Sequence, residues 1–194
     1  MNSPQSINKN NISHQQFKKN NLYTMFITNV LHGFGFSMFN VVFQPYLYYI
    51  TQSEVILGYL VTFGMLMQLI PMQLSGKLAD KYGRKPLILV GLSFFGIGLM
   101  ILAFFQELVL VIIGILFVFS GYGIKDPPSQ ILTRENSPEK KHGLMFSLMF
   151  FGYFAGSIGG NLIVTALGAA YTAVFYLKIF AVIILMQFII QFFF

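Results

Sequence analysis

Three residues able to carry charge or a proton lie deep in otherwise apolar sequence: His32, Lys125 and Asp126. Such groups are costly in an apolar span and are treated first as functional. Asp126 can take a proton or a cation. Lys125 can bind an anionic group or neutralise Asp126, and His32 can join a proton relay. At 1.5 Å per helical residue, Lys125 and Asp126 lie roughly 12–14 Å from Arg134, and His32 about 15 Å from Leu22. Similar depth allows one polar cluster facing a pathway. The alternative stays open at this point: Pro127 and Pro128 bend or end the helix, Lys125 snorkels to the headgroups, and Asp126 braces a nearby charged loop. His32 alone also reads as a packed, hydrogen-bonded polar residue. Asn40 and Gln68 are weaker candidates for solute contact, since each can equally bond across helices. Lys178, near the other end of its segment, is expected to snorkel.

A second constellation is the charged hinge Gly76-Lys-Leu-Ala-Asp80-Lys-Tyr-Gly83-Arg84-Lys-Pro86. Asp80 and Arg84 are four apart and can meet across one turn. Gly83 permits a tight turn, and Gly76 is expected to let helices approach closely. A plain basic loop that only fixes topology would need no such order of Gly, Asp, Gly and Arg. Farther along, Gly152, Gly156 and Gly160 recur every four residues. Close helix packing explains that small-residue face better than a ligand does.

These residues must be positioned by membrane-crossing helices. The chain is 56% hydrophobic and 9% charged, against about 25% charged in a typical soluble domain. About 20 apolar residues cross the hydrocarbon core. Six segments qualify, at about 22–50, 55–75, 86–106, 108–132, 143–168 and 170–194, giving an all-α membrane protein. Tyr46, Tyr48 and Tyr49 suit an interfacial aromatic belt at the outer end of the first. Residues 1–21 read as a polar, disordered tail. Lys9, Lys18, Lys19, Lys77, Lys81, Arg84, Lys85, Arg134, Lys140 and Lys141 all flank one side, and the opposite connections carry no Lys or Arg. The positive-inside rule then puts both termini in the cytoplasm. Basic residues that flank spans explain the net charge of +6 and leave no stripe for nucleic acid.

The hinge resembles the loop between helices 2 and 3 of major facilitator superfamily transporters. Gly76, Leu78, Ala79, Asp80, Gly83 and Arg84 fall on the family pattern, with Lys81 and Lys85 in its basic positions. The resemblance extends over nearly the whole chain after the tail. It implies a multi-pass protein of the cell membrane and a secondary transporter that moves small solutes by alternating access. It also implies that helices 1 and 4 line a central cavity, and that an acid at the inner end of helix 4, here Glu135, joins Asp80 and Arg84. Coupling to protons is an open expectation. Phe117 stands where proton antiporters carry Arg, and Ser157 where their helix 5 carries Pro. Family members have about twelve spans in two halves, so this chain reads as an N-terminal half. It is either cut short or completed by a second polypeptide or a copy of itself. The rival is a six-span scaffold that kept the fold without transporting. No enzyme is expected: His14, His32 and His142 lie too far apart for a metal set, no dinucleotide or phosphate loop is present, and no cofactor is implied.

Overall fold

The computed structural model describes the backbone of residues 4–168 and 172–193, and the side chains of 21–138, 140–168 and 172–193. The chain forms α1 (Pro4–Thr51), α2 (Glu54–Tyr82), α3 (Arg84–Phe104), α4 (Leu108–Asn136), α5 (His142–Leu167) and α6 (Ala173–Phe193), with a short 3-10 turn at Glu139–Lys141. All six α-helices are long and apolar enough to cross a membrane. Helices satisfy every backbone group within themselves, which a bilayer demands. Among the described residues there is no strand.

Residues 4–21, expected as a disordered tail, are helical in backbone and continuous with the first span. No Gly or Pro interrupts the sequence between Pro4 and Gly33. The membrane-competent stretch of α1 begins at Asn21, next to the expected boundary.

The expected loop 76–86 is instead almost entirely helical. α2 continues to Tyr82, and Gly83 alone separates it from α3. Gly83 adopts φ 92°, ψ 158°, a region essentially reserved for glycine. Its N–H donates to Ala79 O at 3.0 Å and closes α2. Pro86 fits in the first turn of α3, where a missing N–H costs nothing.

α4 is likewise longer than expected and runs unbroken through Pro127 and Pro128 to Asn136. A proline inside a helix deprives the carbonyl four residues earlier of its donor. For Pro127 that carbonyl belongs to Gly123, and the Ser75 hydroxyl of α2 donates to it at 3.2 Å. The helix therefore does not end at Lys125.

α3 packs chiefly on α4, α1 on α5 and α6, and α2 on α4. The core sits between α1, α3, α4 and α6, where Met38, Leu47, Leu99, Leu102, Ile115, Leu177 and Phe180 are fully buried. Tyr46 joins that core instead of an aromatic belt. Its hydroxyl donates to Leu102 O at 2.7 Å and Phe105 O at 3.1 Å, and so caps carbonyls that the end of α3 leaves free. Tyr48 and Tyr49 do remain exposed.

Candidate functional site

A cavity of about 180 Å³ opens between α1, α4 and α5, and His32, Lys125 and Asp126 all line it. Asn29, Tyr122 and Tyr153 complete its polar and aromatic wall. Lys125 is 9% exposed and faces this cavity, so it does not snorkel to the headgroups.

Lys125 and Asp126 are neighbours in sequence, and successive side chains leave a helix about 100° apart. They form no ion pair: among the described residues the ion pairs all belong to Arg84. Asp126 instead accepts from Gln130 Nε2 at 2.9 Å. The Lys125 ammonium lies 5.8 Å from the Tyr122 ring centroid. That cation–π contact supplies about 0.5–2 kcal/mol, whereas taking an ammonium out of water costs several kcal/mol. The charge of Lys125 is therefore only partly compensated within the bundle, by the Tyr122 ring and by Asp126 at longer range.

His32 is buried, and neither ring nitrogen makes a hydrogen bond of good geometry among the described residues, although the Gln187 side chain lies beside the ring. Its ring stacks on Phe36 at 5.7 Å and on Tyr122 at 5.9 Å, and those two stack on each other at 5.6 Å. This aromatic triad separates the first cavity from a second, also about 180 Å³, between α1, α2, α3 and α4. Asn40 and Gln68 line the second cavity, and Tyr122 lines both. The five candidate contact residues are thus divided three and two by the aromatic partition.

Behind Lys125 lies a chamber of about 20 Å³, lined by Thr28, Ser129, Gln187 and Gln191 among others. Gln191 donates to Thr28 Oγ1 at 3.2 Å, while Gln187 is 2% exposed and lies beside His32 without a hydrogen bond of good geometry from its Nε2 among the described residues. Sequence reasoning passed over Gln187, Tyr122 and Tyr153. Gln187 and Gln191, four apart in the apolar stretch of α6 that follows Lys178, were a usable signal. The two tyrosines carried none, because aromatic residues are common throughout this chain.

The charged hinge forms a compact clamp at the ends of three helices. Arg84 Nη2 lies 3.0 Å from Asp80 Oδ1 and 2.9 Å from Glu135 Oε1, and Nη1 donates to Ala79 O at 2.8 Å. The planar guanidinium fork suits this shared geometry, which a lysine would not reproduce. One guanidinium so ties α2, α3 and α4 together. Gly76 plays a different part from the expected close approach: a Cβ built there would meet nothing within 4 Å.

The family model that matches this sequence is that of the Major Facilitator Superfamily, over residues 25–194. The chain belongs to the Major Facilitator Superfamily. It is a multi-pass integral membrane protein with the Major Facilitator Superfamily fold. No curated protein matches its sequence. Among solved structures, a point mutant of the peptide transporter POT matches with TM-score 0.76 at 18% identity, covering 88% of this chain and 37% of that one. POT in complex with sulfate matches with TM-score 0.73 at 17% identity, over 89% of this chain and 37% of that one. The chain thus spans little more than a third of the transporters it matches. Its six helices correspond to an N-terminal half of the superfamily fold.

Proposed function

We propose that the chain is the N-terminal half of a secondary active transporter of small solutes, working by alternating access in the cell membrane. The observation that carries this reading is the Arg84 clamp. It joins three helix ends through Asp80, Ala79 O and Glu135, so relative movement of these helices would break it. Asp80 and Glu135 are 70% and 47% exposed, and exposed pairs contribute only about 0–1 kcal/mol each. A latch of that strength suits an equilibrium that must be reversed in every cycle. A second six-helix half, from the same polypeptide, another chain or a second copy, would face this bundle across a midplane site. His32, Lys125 and Asp126 then contribute this half's share of that site, with His32 or Asp126 as the group that carries a coupled proton. The distribution of Lys and Arg supports cytoplasmic termini. At 17–18% identity the peptide transporters indicate the fold and not the solute.

The reading is tested by flux in proteoliposomes. Asp80→Asn removes one arm of the clamp and leaves the cavity untouched. It is expected to slow turnover about tenfold while changing solute affinity little, the pattern of a lost conformational step. Unchanged turnover would contradict the proposal. A bilayer protein that moves no solute and shows no change of accessibility would be the six-span scaffold instead.

A further inference from the structure

We infer that the cavity between α1, α4 and α5 binds a small zwitterion, with Lys125 taking its anionic end and Asp126 its cationic end. The inference deepens the transport reading by naming the solute class of the same site, and rests on that reading for its physiological meaning.

Three observations carry it. First, an acid and a base line one cavity without pairing with each other. A lone anion would satisfy Lys125 but bring its charge up to Asp126. A lone cation would satisfy Asp126 and be repelled by Lys125. A solute with an ammonium and a carboxylate on one carbon meets both groups and leaves the site neutral. Second, Lys125 is nine-tenths buried, lines the cavity and has the Tyr122 ring beside its ammonium but no ion pair or hydrogen bond among the described residues. Buried charges are normally paired, so the missing partner is supplied from outside the bundle. Asp126 keeps spare acceptor capacity too, since Gln130 occupies only one of its oxygens. Third, Tyr122 and Tyr153 present aromatic surface beside the two charges. That wall accepts the apolar body of an amino acid, and tyrosine rings do so at low entropic cost.

His32 also lines this cavity, stacked against Tyr122. Both its ring nitrogens are sealed from the cavity, and Gln187 of α6 lies beside the ring, so His32 contributes wall and not a counter-charge.

The test is equilibrium binding to the purified chain in detergent micelles, with four probes. Phenylalanine carries both charges next to each other. N-acetylphenylalanine keeps only the anion, phenylalaninamide keeps only the cation, and alanylphenylalanine holds its charges farther apart. The expected result is saturable binding of phenylalanine, with each single-charge probe weaker by about tenfold or more, the worth of one lost charge-assisted contact. Lys125→Gln should abolish the preference for phenylalanine over phenylalaninamide. Asp126→Asn should abolish the preference over N-acetylphenylalanine. Lys178→Gln, on the exposed side of α6 against Phe104, should leave both preferences intact and shows that any lost lysine charge is not enough. Tighter binding of alanylphenylalanine would replace the free amino acid by a peptide as the occupant. Equal binding of all four probes, or of none, would overturn the inference. Because the assay is at equilibrium, it does not depend on rocking. Phenylalanine binding without any change in accessibility would sink the transport reading and leave the zwitterion site standing, whereas a change in accessibility without binding would do the reverse.

Discussion

At the scale of single residues, two glycines of one hinge have opposite roles. Gly83 sits at φ 92°, ψ 158°, and a Cβ there would meet only Pro86 Cδ, at 3.6 Å. The penalty for a side chain is therefore backbone strain and not collision. Gly83→Ala is expected to lower stability by about 1–3 kcal/mol. Gly76 lies inside α2 with open space where its Cβ would be. Gly76→Ala should raise stability by up to about 1 kcal/mol, the usual gain from replacing glycine in a helix interior. Thermal unfolding of the two variants in detergent checks both signs, and equal effects would refute the assignment. The residues of the hinge were legible in sequence because Asp80 and Arg84 carry charge at a recognisable spacing. Gly76 was misread because spacing shows which residue is small and not what faces it.

At the scale of helices, α1 and α5 form the closest pair around the site. A Cβ at Gly156 would run into Val30 O, and one at Gly160 into Phe34 O. Gly152 meets the ring of Phe26 in the same row. Gly156→Ala must push α5 away from α1 and is expected to cost about 1–3 kcal/mol. Gly159, one position before that row's last member, meets only the edge of Phe34 at 3.4 Å, so Gly159→Ala should be nearly neutral. Matching losses for the two alanines would contradict this packing. The four-residue recurrence made the small face readable in advance. The continuity of α4 was not, because Pro127 and Pro128 argue locally for a break. The compensating donor, Ser75, lies on another helix, 48 residues away from Gly123 in sequence. Such cross-helix satisfaction of freed carbonyls is how membrane helices tolerate proline, and it leaves no local trace. The same holds for the aromatic partition of His32, Phe36 and Tyr122: α1 supplies two rings and α4 the third.

At the scale of the whole molecule, hydropathy and charge were enough for the six-helix architecture, because bilayer thickness limits the answer before any packing is considered. α2 is the least enclosed span, with 11% of its most apolar window buried against 50% for α1 and α3. Its outward apolar face suits lipid or, in the proposed transporter, a second half. Under the proposed transport reading, the whole exchanges access to the two cavities across the aromatic partition. The chain has no cysteine, so single reporters can be introduced cleanly: Ser129→Cys in the cavity on the clamp side, and Asn40→Cys beyond the partition. The decisive measurement labels each from either side of sealed vesicles with a membrane-impermeant thiol reagent, with the clamp intact and with Asp80→Asn. Alternating access requires that breaking the clamp raise labelling of Ser129→Cys from the clamp side while lowering that of Asn40→Cys from the opposite side. Labelling that stays the same at both positions, with and without Asp80, would contradict the account.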